Sequence, residues 1–370
     1  MVVDDSTSMR RTISDMLSYE RGVQVVGRES YGEEALKEAF EIKPDAICLD
    51  LQMPRLDGFT FLRLLMSRQP TPVIVISSNS RKSDVFKALE LGALDFIAKP
   101  EGPDADLTAI RDDLLEKIGT VRALQIGNLD QSARSAAPTA RADHLDQSAR
   151  PPPASEPARE RPAARRAPAP RAPEPMRLLV IGASTGGPPA LQRLLTALPG
   201  DLPLAVVVGQ HMPERFTAAF AERLGRTSSF SVSEAADRDV VAPGRVLVAP
   251  GGKHLQLLRD PSGEIRCAVL DAARVPGRRY CPSVDLILES AARVLGERVA
   301  GVILTGMGND GRKGIEAVKA AGGLTIAESE ETAVVYGMPK EAVASGCVDE
   351  ILPLGAIAGR LVRFTGREGA

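Results

Sequence analysis

Arg177-Leu178-Leu179-Val180-Ile181-Gly182-Ala183-Ser184-Thr185-Gly186-Gly187-Pro188-Pro189 is the stretch on which the reading of this chain turns. An apolar, β-branched run ends at Gly182, a serine stands among small residues, and a helical pattern resumes from Pro189. Gly182-x-Ser184-x-Gly186 has the spacing of a nucleophile elbow. Its glycines let the chain turn sharply enough to expose a serine hydroxyl at the carboxyl end of a strand. The competing reading is a glycine-rich strand-to-helix turn that binds a phosphate or only connects. A base and an acid at the ends of other strands would separate the two.

The 370 residues suffice for two domains or three, each with its own core. Hydrophobic residues make up 44% and charged residues 25%, ordinary for a soluble globular protein, and the net charge of −2 gives no global reason to expect nucleic acid or a membrane as partner. Cys48, Cys267, Cys281 and Cys347 lie far apart with no CxxC pair, so they read as reduced residues rather than a disulfide frame or a zinc site. No apolar run approaches the ~18 residues of a membrane span and the first residues do not read as a signal peptide, so a cytoplasmic protein is expected.

Residues 1 to about 120 alternate strand and helix patterns at short intervals. Strands are expected at 2–3, 23–27, 46–49, 73–76 and 96–97, and helices over 8–19, 33–40, 58–67, 82–91 and about 106–124. Continuously apolar strands in five β/α units predict a doubly wound parallel sheet covered on both faces. Ligands in such sheets gather at the strands' carboxyl ends. Asp4 and Asp5 close the first strand there, Asp50 the third and Ser77 the fourth, and Lys99-Pro100 follows the fifth. Carboxylates so close repel unless a cation joins them, and an oxygen-only site suits Mg²⁺. A lysine and a hydroxyl beside them would hold a phosphoryl group.

With Met53-Pro54 and Asp57-Gly58 added, this set resembles the receiver domain of two-component response regulators. The resemblance implies that Asp50 accepts phosphate from a histidine kinase, with Mg²⁺ at Asp4, Asp5 and Asp50 and phosphoryl support from Ser77 and Lys99. Fewer residues precede the acidic pair than receivers usually carry, so either the start has been called late or the first strand is short.

From about residue 128 the pattern dissolves. Leu129-Asp130-Gln131-Ser132-Ala133-Arg134 recurs as Leu145-Asp146-Gln147-Ser148-Ala149-Arg150, and residues 151–175 hold nine prolines and no Val, Ile, Leu, Met or aromatic residue. Such a segment has nothing to bury, so the expected layout is a receiver over 1–124, a flexible Pro/Ala/Arg linker over 125–175 and a second α/β domain over 176–370.

In that second domain helices are expected over 189–198, 216–224 and from Pro282-Ser283-Val284-Asp285, and strands over 204–208 and 302–304, with a hairpin-rich patch over 231–270. Serine needs a base, and the base a carboxylate to orient it. His144 lies in the linker. His211 follows a buried strand at its site-bearing end and is the candidate base, with His254 the alternative, read as a hydrogen-bonded structural histidine. Asp310, in the glycine-rich turn Thr305-Gly306-Met307-Gly308-Asn309-Asp310-Gly311, is the candidate acid, and Asp285 reads as a helix-start charge. The Met307 N–H is a candidate oxyanion donor, and Thr185, beside the serine, a candidate support.

Gly182 to Gly187, Gln210-His211-Met212-Pro213 and Thr305 to Gly311 together resemble the catalytic domain of the chemotaxis protein-glutamate methylesterases, as do Ala249-Pro250-Gly251, Lys253-His254, Pro282 to Asp285 and Tyr336-Gly337-Met338-Pro339. The resemblance implies a Ser184-His211-Asp310 triad needing no cofactor. It implies hydrolysis of glutamate γ-methyl esters on methyl-accepting chemoreceptors, deamidation of particular glutamines, and an unphosphorylated receiver that covers the triad. A monomer without nucleic-acid or membrane partners is expected. Tyr280-Cys281 depart from the family pattern, which usually has a basic residue before Pro282. A regulator with a DNA-binding output is excluded by the lack of any basic helix-turn-helix pattern after Met176. A non-hydrolysing scaffold is disfavoured by the intact triad.

Overall fold

The structure, a computed structural model, describes residues 1–78, 82–99, 107–121, 124 and 176–366. The expected linker over 125–175 and Pro100 lie outside the described residues.

The first sheet is parallel, in the order β2-β1-β3-β4-β5. Its strands are β1 (Val2–Val3), β2 (Arg28–Glu29), β3 (Ile47–Asp50), β4 (Val73–Ser78) and β5 (Asp95–Lys99). Apolar side chains leave both faces, as an unbroken Val/Ile/Leu run requires. One face packs under α1 (Thr7–Ser18) and α5 (Leu107–Thr120) through Ile13, Leu17, Ile110 and Leu114. The other packs under α2 (Gly32–Ile42), α3 (Gly58–Arg68) and α4 (Lys82–Glu90). Asp57 caps α3, its carboxylate accepting from the N–H groups of Phe59 and Thr60. The second strand is displaced from the expected 23–27. Val2 and Val3 pair with Arg28 and Glu29, and the Val2 N–H donates to the Gly27 carbonyl at 3.0 Å, so the two-residue β1 meets the apolar 23–27 run only at its last residue.

The second sheet has seven parallel strands in the order β14-β13-β12-β6-β7-β9-β8. They are β6 (Arg177–Ala183), β7 (Leu204–Gln210), β8 (Ser231–Glu234), β9 (Arg245–Val248), β12 (Val299–Ile303), β13 (Leu324–Glu328) and β14 (Glu350–Leu352). Helices α6 (Gly187–Ala197), α7 (Thr217–Thr227) and α11 (Leu354–Phe364) cover one face; α8 (Val284–Leu295), α9 (Arg312–Ala320) and α10 (Met338–Ala344) cover the other. The chain starts at β6 in mid-sheet and winds outward to both edges, so the doubly wound expectation holds. The hairpin-rich expectation holds only for β10 (Lys253–Arg259) and β11 (Ile265–Asp271), which pair antiparallel over α8. β8 and β9 instead add to the main sheet in parallel.

The two sheets share one apolar cluster. Phe86 of α4 stacks on Phe220 of α7 with ring centroids 5.7 Å apart, and Phe96 of β5 meets Phe216 at 4.7 Å. Arg223 closes the same seam by pairing with Glu90. No helix among the described residues is long and apolar enough to cross a membrane.

Candidate active site

β6 ends at Ala183, and the next residue, Ser184, stands where the chain turns into α6. Its N–H donates to the Thr305 carbonyl at 3.0 Å, and its own carbonyl accepts from Gly187 N–H at 2.8 Å and from Gln210 Nε2 at 2.9 Å. Gly186 makes the turn possible: it sits at φ 76°, and a Cβ there would meet Val334 Cβ at 2.9 Å. His211 follows β7, held by its N–H to the Ala183 carbonyl at 3.0 Å. Asp310 lies past β12, in the turn before α9. The structure thus brings Ser184, His211 and Asp310 to the carboxyl ends of three neighbouring strands.

His211 Nε2 and Asp310 Oδ2 are 2.9 Å apart, while His211 Nδ1 is buried and has no hydrogen-bond partner among the described residues. No hydrogen bond joins Ser184 Oγ to His211. With Nε2 committed to the carboxylate, Nδ1 is the nitrogen left for a proton from the serine. Such contacts are commonly loose in unliganded sites and tighten on the substrate. Asp310 also accepts from the N–H groups of Val284 (2.7 Å) and Asp285 (2.9 Å) at the start of α8 and from the Ser283 hydroxyl at 3.2 Å. Burial alone would push its carboxyl up. The hydrogen bond and charge of His211, with those backbone donors, outweigh burial and hold it below the usual carboxylate range. Asp310 is built to stay ionised.

Two alternatives from the sequence find other places. His254 is 1% exposed inside β10, and its Nδ1 has no partner among the described residues, so the expected hydrogen-bonded histidine is not what the strand holds. Burial and the nearby Arg278 push its pKa down. Asp285 accepts from the N–H groups of Gly311 (2.9 Å) and Gly314 (2.8 Å), tying the Asp310 turn to α8 from behind.

The Met307 N–H has no hydrogen-bond partner among the described residues, and Met307 lines a cleft of about 260 Å³ with Ser184, Thr185 and His211. Gly306 before it leaves no room for a side chain, since a Cβ would lie 2.8 Å from Ser184 Cβ and 2.5 Å from Met338 Sδ.

At the first sheet's carboxyl end, oxygens of Asp4, Asp5 and Asp50 lie within 4.8 Å of one another. Lys99 Nζ is 2.6 Å from Asp50 Oδ2 and 3.0 Å from Asp4 Oδ2, the second an ion pair without hydrogen-bond geometry. Burial would push the lysine down, but the two carboxylates outweigh it and raise it. Burial, helped by Asp50, raises Asp4 against the pull of Lys99. Ser77, 1% exposed at the end of β4, has a hydroxyl with no partner among the described residues.

The family model described as CheB methylesterase matches residues 179–361, and that of the response regulator receiver domain residues 1–111. A protein-glutamate methylesterase/protein-glutamine glutaminase of Anaeromyxobacter dehalogenans is 57% identical over 98% of this chain and 95% of its own length. Another, of Geobacter sulfurreducens, is 47% identical over 99% and 97%. The chain belongs to the CheB methylesterase family. The catalytic-domain crystal structure of Thermotoga maritima CheB is 41% identical to it, covering 51% of this chain and 98% of that one at a TM-score of 0.49.

In this CheB-family chain the receiver helix α5 forms one wall of the cleft, through Asp113, Glu116, Lys117 and Thr120. The Thr185 hydroxyl, next to the candidate nucleophile, donates to Asp95 Oδ2 at 2.6 Å. Lys117 Nζ, 2.9 Å from the same oxygen and 3.3 Å from Asp113, completes the cluster. Arg279 reaches Glu116 across the mouth at 3.5 Å.

Sequence reasoning missed several residues here. Gln210 Nε2 bridges the Ser184 and His211 carbonyls, both at 2.9 Å. Tyr280, noted only as a departure from the family pattern, stacks on the His211 ring at 4.6 Å with 8° between planes. The Gln210-His211 dipeptide at a strand end was a signal for the first. The second is a contact over some seventy positions, which no local pattern carries.

Proposed function

We propose that this chain is a phosphorylation-controlled hydrolase that removes γ-methyl esters from glutamates of methyl-accepting chemoreceptors, deamidates particular glutamines on them, and so gives sensory adaptation in chemotaxis. The supporting observation is the His211–Asp310 pair, with its second nitrogen unpartnered, beside Ser184 in one cleft. Ser184 Oγ attacks the ester carbonyl as His211 Nδ1 takes its proton, and Asp310 steadies the imidazolium. The Met307 N–H, with Thr185 in support, faces the developing oxyanion. His211 returns the proton to the departing methoxide, giving methanol, and then activates the water that releases the glutamate. No cofactor enters this chemistry.

The layout is a receiver over 1–124, a linker over 125–175 and a hydrolase over 176–370. Asp50 takes a phosphoryl group from a histidine kinase, with Ser77 and Lys99 placed to hold its oxygens. Three converging carboxylates, with an Asp4 oxygen lacking a hydrogen bond, fit Mg²⁺, held by Asp4, Asp5 and Asp50. When bound, that ion neutralises charge on the transferred group. Unphosphorylated, the receiver stands over the cleft, and phosphorylation shifts the population toward an open arrangement. The protein works as a cytoplasmic monomer. Methanol release from methylated receptor membranes, with and without acetyl phosphate, is the test. Release should be slow without the phosphodonor and fast with it, and no release in either condition overturns the reading.

A further inference from the structure

Glu328 is the last residue of β13 and is 0% exposed, yet the hydrolysis outlined above makes no use of it. Both carboxylate oxygens are occupied. Oε2 accepts from the backbone N–H of Thr305 at 2.8 Å, and Oε1 from the Thr332 hydroxyl at 2.9 Å. Thr332 in turn accepts from Leu354 N–H at 2.9 Å, so the network is arranged to feed protons toward the carboxylate.

Thr305 carries the consequence to the cleft. Its carbonyl accepts the Ser184 N–H at 3.0 Å, and its hydroxyl donates to the Thr185 carbonyl at 2.9 Å and accepts the Val335 N–H at 2.9 Å. The next peptide along, Gly306, donates to the Val335 carbonyl at 3.0 Å, and Met307 follows. Thr305 alone therefore separates the buried acid from the backbone of Ser184, and Thr305 with Gly306 separates it from that of Met307. We propose that Glu328 is a positioning residue for the hydrolytic site, anchoring through Thr305 the backbone that presents the Ser184 nucleophile and the Met307 N–H. The proposal rests on the assignment of Ser184 as nucleophile.

The anchor depends on charge, because a carboxylate is a stronger acceptor than a carboxylic acid. Burial pushes the Glu328 carboxyl up to about 7, against the Thr305 N–H, the Thr332 hydroxyl and the positive charge of Arg193 on α6. The surroundings supply little else. β12 carries no ionisable side chain; on β14 Glu350 is paired with Arg360 of α11, which also carries Arg363, and Glu330, Glu331 and Tyr336 belong to the loop after β13. The site thus tightens as pH rises through neutrality. Stability moves the other way. A carboxyl raised in the folded state binds more protons than in the unfolded chain, so stability falls as pH rises from the ordinary glutamate range to about 7.

The test labels Ser184 in the full-length protein with a fluorophosphonate, across pH, in wild type and Glu328→Gln, with Ser184→Ala as blank. Glutamine keeps the shape and offers Thr305 a neutral acceptor at every pH. The two proteins should label at equal maximal rate near ~pH 5.5, and the wild type about fivefold faster near ~pH 8.5, with the half-saturating probe concentration unchanged. Taking the ratio cancels contributions from His211 and the receiver, which both proteins share. Thr332→Val, which removes one donor to the carboxylate, should move the midpoint of the wild-type ratio to higher pH. A ratio flat with pH, or a change in half-saturation alone, overturns the proposal. Should Glu328→Gln fail to fold, the ratio of wild-type to Thr332→Val labelling is read in its place, and a ratio flat with pH overturns the proposal equally. Absence of labelling in the wild type instead refutes Ser184 as nucleophile.

Discussion

The contact between Thr185 and Asp95 gives the sharpest test of how the receiver controls the hydrolase. Asp95 belongs to the receiver, so Asp95→Ala leaves every residue of the cleft's catalytic half in place. It removes the acceptor of the Thr185 hydroxyl at 2.6 Å and one of two carboxylates paired with Lys117. A buried hydrogen bond to a charged acceptor contributes roughly 1.5–3 kcal/mol. With about 2 kcal/mol lost from the covered arrangement alone, the ratio of open to covered molecules rises about 30-fold. Basal methanol release without phosphodonor should rise by a similar factor, until the open form predominates. With acetyl phosphate, which in the proposed model uncovers the cleft, the variant and the wild type should match. Calorimetry on the same samples checks that Lys117, left with Asp113, has not unfolded the receiver. An unchanged basal rate in a folded variant refutes the reasoning, and so does an equal gain with and without phosphodonor.

Three further expectations follow from the same geometry. Ser184→Ala should remove nearly all esterase activity, a loss on the order of 10⁴-fold or more, at an almost unchanged thermal midpoint; His211→Ala should do the same, whereas an inactive His254→Ala beside an active His211→Ala would reassign the base. Asp50→Asn should abolish Mg²⁺-dependent labelling by acetyl phosphate, and persistent labelling of that variant would place the phosphate elsewhere. Tyr280→Leu removes a parallel ring from His211, a contact of about 1 kcal/mol that strengthens as the imidazole becomes cationic. It should lower kcat of methanol release roughly fivefold at constant KM, and a change in KM alone would make Tyr280 a substrate contact instead.

The fold was legible because continuous apolar runs ending in Gly, Asp or Ser are what a parallel sheet covered on both faces requires. Ser184, His211 and Asp310 were legible for a related reason: strand ends converge, so residues far apart in sequence meet if each closes a strand. The errors came where pairing is decided by neighbours. Residues 23–27 look like a strand, but the two-residue β1 reaches only Gly27 of them; β8 and β9 look like hairpin arms, but β9 joins β7 and β8 joins β9, both in parallel. Tyr280 and Glu328 were invisible as functional candidates because their contacts depend on tertiary approach, and a glutamate reads as surface until its burial is known. The Thr185–Asp95 contact joins the turn after β6 to β5 of the other sheet and leaves no trace in either local pattern.

The paired phenyl rings between the two sheets have a thermal consequence. An opening that parts the sheets must wet Phe86, Phe96, Phe216 and Phe220, and exposing apolar surface carries a positive heat-capacity change. Near ambient temperature the association of such surface strengthens on warming. In the proposed covering model the covered form should therefore gain population over the same range in which each open molecule turns over faster. The two trends oppose, so the resting enzyme's output varies less with temperature than its chemistry does. Under the proposed control, phosphorylated enzyme stands open and lacks that compensation, so the span between resting and stimulated rates should widen on warming.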